Sequence, residues 1–206
     1  MRLKKRIGVD FDNTIIDYDR VFFSVALRQG LVDERCLGGK KAVREAIRDM
    51  PDGEIAWQRL QGQVYGGSIH DAVLFDGVEA FLRQCRAEGH SVLIVSHKTE
   101  YGHFDAARIN LRQAALDWMA TWGFFDDETI AIATADVFFE STRADKLKRI
   151  AALDCTHFID DLPEVLDDPA FPPGVVKILF TNGELPQGAR ADAFAHWRDI
   201  TEAVLA

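Results

Sequence analysis

The chain has 206 residues, with 24 basic side chains against 33 acidic ones and a formal net charge of −9. Hydrophobic residues make up 48% and charged residues 28%, values of a soluble globular protein that exclude collagen-like, low-complexity and mainly disordered classes. The acidic balance argues against sequence-independent binding to nucleic acid, which relies on basic surface, but not against an anionic small substrate, because a local field can oppose the net charge. The length suits one domain with a modest insert, and a chain of this size buries roughly 70% of its unfolded surface, so it needs no disulfide or metal to form a core. Cys36, Cys85 and Cys155 are scattered and odd in number, which suggests incidental thiols in a reducing compartment. The basic start from Met1 to Arg6 resembles a signal n-region, but Asp10 and Asp12 interrupt any apolar segment after it. No stretch approaches the ~18 apolar residues of a membrane helix. The expectation is a cytoplasmic protein without a membrane or nucleic-acid partner.

The predicted elements begin with Ile7-Gly8-Val9, a short buried strand that stops at Asp10. Residues 17–72 then hold three helical stretches, Asp19 to Gln29, Lys40 to Met50 and Glu54 to Tyr65. Glycines at 30, 38, 39, 53, 62, 66 and 67 mark turns among them. After this segment Val78 to Glu88 has helical periodicity, with Val78, Phe81, Leu82 and Cys85 on one face. Ser91 to Val95 is a buried strand ending at Ser96, and Ala106 to Ala120 reads as a helix. Of the apolar runs Thr129 to Ala133 and Val137 to Phe139, at least one is expected to be a strand. Arg143 to Leu153 is helical, Thr156 to Ile159 is a strand stopping at Asp160-Asp161, and Val175 to Phe180 is a further strand. The tail from Ala191 to Leu205 looks helical.

Short apolar strands alternating with helices imply an α/β fold with a parallel sheet covered on both faces. In such sheets ligands bind beyond the carboxyl ends of the strands, where this sequence places Asp10, Ser96 and Asp160. The alternation predicts a core of 1–16 and 73–206 and a small helical insert of 17–72. The stretch from Ser96 to Ile130 is longer than one helix and loop require.

Asp10-Phe11-Asp12-Asn13-Thr14 puts two carboxylates two residues apart directly after a strand. One carboxylate there can act as a nucleophile while the other serves as general acid and then base. By itself the segment also reads as an Asx-rich turn. Asp160-Asp161 reads either as a helix cap or as part of an all-oxygen Mg²⁺ site, since gathered carboxylates repel without a cation. The Ser96 hydroxyl and the N–H groups after it could hold a phosphoryl oxygen. Lys146 could neutralise phosphate and nucleophile together, with Lys148 the less favoured choice on the same helix. His97, Lys98, Tyr101 and His103 follow Ser96 and read as pocket residues or as an exposed loop.

Taken in order, these segments resemble the phosphatase branch of the haloacid dehalogenase superfamily: Asp10 to Thr14 as DxDxT, then Ser96, Lys146 and Asp160-Asp161. The resemblance implies a Rossmann-like core, a Mg²⁺ ion and an aspartyl-phosphate intermediate. It implies that Asp10 is nucleophile and metal ligand, and that Asp12 is acid/base with its backbone carbonyl on the metal. Ser96 and Lys146, with Asn13 and His97 as weaker candidates, would bind the phosphoryl group, and Asp160 and Asp161 would complete the metal site. The dehalogenase branch lacks an acid at the Asp12 position, which argues against carbon–halogen cleavage. Residues 17–72 would be a helical cap that selects the substrate and excludes water. Its basic residues are Lys40, Lys41, Arg44, Arg48 and Arg59, with His70 near its end, and Trp57 and Tyr65 are its candidate stacking residues.

The expected activity is hydrolysis of a small phosphorylated metabolite, a sugar phosphate or a nucleotide. A phosphomutase or phosphotransferase on the same core is the alternative. A phosphoacceptor signalling module is disfavoured by motif order, because DxDxT comes first here. A non-catalytic binding protein is disfavoured because every expected chemical group is present.

Overall fold

In a computed structural model of the chain, which describes residues 3–126, 128–183, 185 and 192–206, the apolar run before Asp10 is strand β1 (Arg6–Val9). The other strands are β2 (Ile16–Asp17), β3 (Val73–Leu74), β4 (Ser91–His97), β5 (Val137–Glu140), β6 (His157–Asp160), β7 (Val176–Phe180) and β8 (Asp192–Phe194). The helices are α1 (Asp19–Arg28), α2 (Gly39–Arg48), α3 (Gly53–Tyr65), α4 (Val78–Ala87), α5 (Leu111–Thr121), α6 (Arg143–Ala152), α7 (Pro163–Leu166) and α8 (Trp197–Leu205). Among the described residues no helix is long and apolar enough to cross a membrane.

The chain divides into two compact units. The first comprises Met1–Ile16, Leu74–Lys98 and Gly123–Ala206. Its sheet runs in the order β5-β4-β1-β6-β7-β8, with every neighbouring pair parallel. The central strand β1 sets Val9 beside Ile94 on one side and Ile159 on the other. A strand buried between two neighbours and two helical layers must be apolar throughout, and Ile7 and Val9 are fully buried. Between them Gly8 is required by space: a Cβ there would lie 2.5 Å from the Phe158 ring and 3.1 Å from Cys155 Sγ. Leu93, Val95, Phe158 and Leu179 of the sheet share a core cluster with Leu147 and Ile150 of α6 and Val165 and Leu166 of α7. Elsewhere in this unit, Phe81 of α4 meets Trp197 of α8 at 5.1 Å between ring centroids, and Trp197 meets Phe180 at 5.8 Å.

The second unit comprises Asp17–Val73 and Thr99–Trp122. Its helices gather around aromatic side chains. Phe22 and Trp57 stack at 5.0 Å, and Tyr65 meets Tyr18 at 4.9 Å and Phe22 at 5.5 Å edge-on. The segment 99–122, expected from sequence to lie with the core, packs in this unit. Glycines permit the approach: a Cβ on Gly102 would lie 2.5 Å from Gly62 Cα, and one on Gly62 would lie 2.9 Å from Asp105 Cβ. The buried Trp118 Nε1 donates to Ala72 O at 3.0 Å. This membership also accounts for the excess length after Ser96.

Several element boundaries differ from the sequence reading. The helix expected from Ala106 starts at Leu111, because Asn110 caps it by accepting from the N–H groups of Arg112 and Gln113. Of the two apolar runs before α6, Val137 to Phe139 is the strand, and 129–133 is turn and loop. The tail is helical only over Trp197–Leu205, while Asp192–Phe194 is strand β8 at the sheet edge, too short to carry a periodic signal. Ala191 lies outside the described residues. Gly53 opens α3 and Gly62 lies inside it, so neither marks a turn.

Candidate functional site

The site grows from the carboxyl end of β1. Asp10 extends the ladder by one residue, its N–H donating to Ile159 O at 2.9 Å. The chain then folds back on itself. The N–H groups of Ile15 and Ile16 both donate to Phe11 O, and that of Asn13 donates to Ile16 O at 3.1 Å. This reversal requires a left-handed residue, and Asn13 supplies it at φ 60°, a conformation that asparagine tolerates better than most residues. Trp197 Nε1 fixes the turn from behind by donating to Thr14 O at 3.0 Å. The Thr14 hydroxyl, fully buried, lies 3.5 Å from Asp10 Oδ2 and 3.3 Å from Asp161 Oδ1. It therefore ties the first acidic motif to the last.

Lys146 enters from α6. Thr142 caps that helix, its Oγ1 accepting from Asp145 N–H at 3.1 Å, and Lys146 follows one turn later. Its ammonium lies 2.6 Å from Asp10 Oδ1 and 2.6 Å from Asp160 Oδ2. The side chain is only 2% exposed. Lys148 is 77% exposed and pairs with Asp145 instead, as helical geometry requires of a residue two positions on. The structure thus brings Lys146, and not Lys148, to the acidic cluster.

Burial acts on Lys146 to lower its pKa, but the facing charges of Asp10 and Asp160 outweigh it and hold the ammonium well above the usual lysine range. Burial pushes Asp160 up to about 6, against the opposing pull of Lys146. The two directions are compatible because one ammonium faces two carboxylates and cannot neutralise both. Asp160, fully enclosed, carries a desolvation penalty. Leu162 N–H also donates to Asp160 Oδ1 at 2.9 Å, a local turn contact; the helix cap expected of these acids is not formed, since α7 starts from Leu162 with no side-chain cap.

Asp10, Asp160 and Asp161 each offer one carboxylate oxygen, and these atoms lie within 4.8 Å of one another. Three carboxylates gathered this closely, two of them buried, concentrate negative charge. A hard divalent cation of small radius fits such a donor set, since Mg²⁺ takes oxygen ligands from a few carboxylates and keeps waters.

Ser96 stands on the adjacent strand β4, at the same end of the sheet. Its Oγ is buried without a hydrogen-bond partner. A buried hydroxyl left unsatisfied costs free energy, so this orphan fits a group awaiting a ligand oxygen. His97 is placed differently from expectation. Side chains alternate along a strand, and His97 is exposed, with Nε2 3.1 Å from Ser141 O. Tyr101 and His103 are exposed residues of the second unit.

Lys98 is the residue the sequence reading undervalued. Its N–H continues the β4 ladder to Glu140 O at 2.9 Å, and its ammonium lies 3.0 and 2.8 Å from the two oxygens of Asp12. The available signal was alternation, since Lys98 lies two residues from Ser96. Among the basic residues of the second unit, Arg48 pairs with Glu54 at 2.7 Å. Lys40 lies 5.4 Å above both the Phe22 and Tyr65 rings. Trp57 is a buried packing residue.

No protein-family profile matches the chain, and no curated protein does. Solved structures do. A haloacid dehalogenase-like hydrolase family protein from Streptococcus pneumoniae is 15% identical, with a TM-score of 0.63 over 100% of both chains. A predicted phosphoglycolate phosphatase from Haemophilus somnus is 16% identical, with a TM-score of 0.58 over 97% of each chain. Protein tyrosine kinase A from Mycobacterium tuberculosis is 16% identical, with a TM-score of 0.64 over 98% of this chain and 99% of that one. Neighbours named for different activities share the architecture, so the fold fixes the scaffold and the site residues must supply the argument for chemistry. With its parallel sheet, its strand-end acids and these neighbours, the chain has the fold of the haloacid dehalogenase superfamily.

Proposed function

We propose that the protein is a phosphoric monoester hydrolase that forms an aspartyl-phosphate on Asp10, uses Mg²⁺, and acts on a small phosphorylated metabolite in the cytoplasm. The observation that carries this reading is the Asp10 carboxylate at 2.6 Å from the buried Lys146 ammonium, in one cluster with Asp160 and Asp161. A nucleophilic carboxylate attacking a phosphate dianion needs its charge repulsion removed, and phosphoryl transfer asks mainly for positioning and neutralisation.

On this reading an Asp10 oxygen attacks phosphorus while the bond to the leaving oxygen breaks, and Asp12 gives that oxygen its proton. Asp12, now a base, takes a proton from the water that attacks phosphorus, and Asp10 is regenerated as inorganic phosphate leaves. Ser96 Oγ donates to a phosphoryl oxygen, and Lys146 holds Asp10 and the incoming charge together. The carboxylates of Asp10, Asp160 and Asp161, with the Asp12 main-chain carbonyl, would hold the cation. When bound, it supplies charge neutralisation for the phosphoryl oxygens. The second unit is assigned the choice of leaving group, because the first holds the groups needed for the reaction itself.

The test is release of inorganic phosphate from a panel of phosphorylated metabolites with Mg²⁺. Asp10→Asn is expected to abolish turnover while the protein melts cooperatively near the wild-type temperature. Undiminished phosphate release by that variant would overturn the nucleophile. Transfer of phosphate to a second metabolite with no free phosphate would replace hydrolysis by group transfer.

A further inference from the structure

Lys98 lies outside the ordered motif set, yet it is one of the most deeply buried charges in the first unit, with its side chain only 2% exposed. Burying an ammonium is costly unless it is paired and hydrogen-bonded. Here the partner is Asp12, both of whose oxygens lie within 3.0 Å of Nζ. The lysine itself is fixed at its base. Its N–H is bonded to Glu140 O across the β4–β5 edge, and its ammonium lies 5.6 Å from the centroid of the Phe11 ring. Phe11 is fully buried and packs edge-on against Phe139 of β5 at 6.5 Å. The contact therefore joins the end of one strand to the turn after another. It acts on the one acidic residue of the first motif that Lys146 does not hold.

We propose that Lys98 is a positioning residue that clamps the Asp12 carboxylate in the one orientation from which it serves the leaving oxygen. This inference rests on the phosphatase reading of the site. Asp12 opens the turn that follows β1, and its side chain is 16% exposed, so it is less enclosed than Asp10 or Asp160. Acid catalysis depends on hydrogen-bond reach to the reacting atom, and a displacement of about 1 Å can cost on the order of 100-fold in rate. A two-point contact from a buried lysine holds the Asp12 carboxylate before substrate arrives. When one Asp12 oxygen carries the proton, the other still accepts from Lys98, so the clamp persists through proton transfer. As the bond between phosphorus and the leaving oxygen breaks, the electron pair left on that oxygen takes the proton that Asp12 releases.

The consequence is selective for the leaving group. A nitrophenolate departs without needing a proton, whereas an alkoxide requires one. Lys98→Met keeps the length of the side chain and removes the ammonium. Its kcat/KM, which reports phosphorylation of the enzyme and is blind to the later hydrolysis of the common intermediate, is expected to fall at least ten-fold more for an alkyl phosphate than for p-nitrophenyl phosphate. Lys98→Arg is expected to restore part of the alkyl phosphate activity. A crystal structure of Lys98→Met is expected to show the Asp12 side chain moved or in more than one rotamer.

An equal fall for both substrates would make Lys98 a structural residue and overturn the clamp, and so would no fall in either. Asp12 unmoved and singly ordered in Lys98→Met would also overturn it, and that readout does not depend on activity. If the wild-type protein hydrolyses neither phosphate, the phosphatase reading fails instead, and the clamp as a catalytic device falls with it.

Discussion

At Asp160, burial and charge act in opposition, and stability should record the outcome. Its carboxyl is raised from 3.8 to about 6 by burial. Between these values the folded state binds more protons than the unfolded state, so stability falls as pH rises through that window. In chelator-treated protein, urea unfolding between pH 4 and 7 is expected to show this decline, with a shallower slope in Asp160→Asn; an unchanged slope would contradict it. Lys146 has the opposite sign. Raised above the ordinary lysine value by Asp10 and Asp160, it contributes stability at all pH values below that ordinary value and loses it only in strong alkali. Lys146→Met leaves two facing carboxylates unpaired and is expected to cost about 3–5 kcal/mol. Lys148→Met, at an exposed position, should stay within ~0.5 kcal/mol of wild type. Comparable urea midpoints for the two variants would refute the buried pairing. The sequence placed Lys146 and Lys148 on one short helix but could not fix which turned inward, because that depends on how α6 docks on the sheet.

At the scale of elements, the strands were legible because a parallel sheet covered on both faces demands continuous apolar runs. Ile7 to Val9 and Val92 to Val95 show such runs, and both lie in strands. Strand β8 was hidden because three residues carry no periodicity. Helix starts depended on caps. Asn110 set the start of α5 and shortened the expected helix, whereas Thr142 set the start of α6 where expected. The Thr142 cap also fixes where Lys146 enters the site. Thr142→Ala is expected to lower stability by about 1 kcal/mol, measured by denaturant unfolding, and a shift below a few tenths would mean the cap carries little. His97 and Lys98 show a further limit. Adjacent residues on a strand face opposite ways, so alternation from Ser96 favours Lys98 over His97, but only the tertiary structure shows that its partner is Asp12.

At the scale of the whole molecule, the excess of acids acquires a place. Asp10, Asp160 and Asp161 gather in one cluster, the first two of them buried, where a divalent cation would offset their mutual repulsion. Turnover is expected to vanish with a chelator and return with Mg²⁺. Thermal melting should also rise with Mg²⁺ in the wild type, following ligand linkage to the folded state, and rise less in Asp160→Asn. Chelator-insensitive turnover would remove the cation from the proposal. The sequence by itself determined the α/β class, the strand ends and the ordered set of acids, serine and lysine, because periodicity and strand-end chemistry are local properties of the chain. Tertiary structure alone decided that 99–122 packs with the helical insert, through approaches at Gly62 and Gly102. It alone decided that Lys146 bridges Asp10 and Asp160, and that Lys98 holds Asp12. Each of these contacts joins residues at least 14 positions apart, and such pairings arise from the packing of whole elements, which no local pattern encodes.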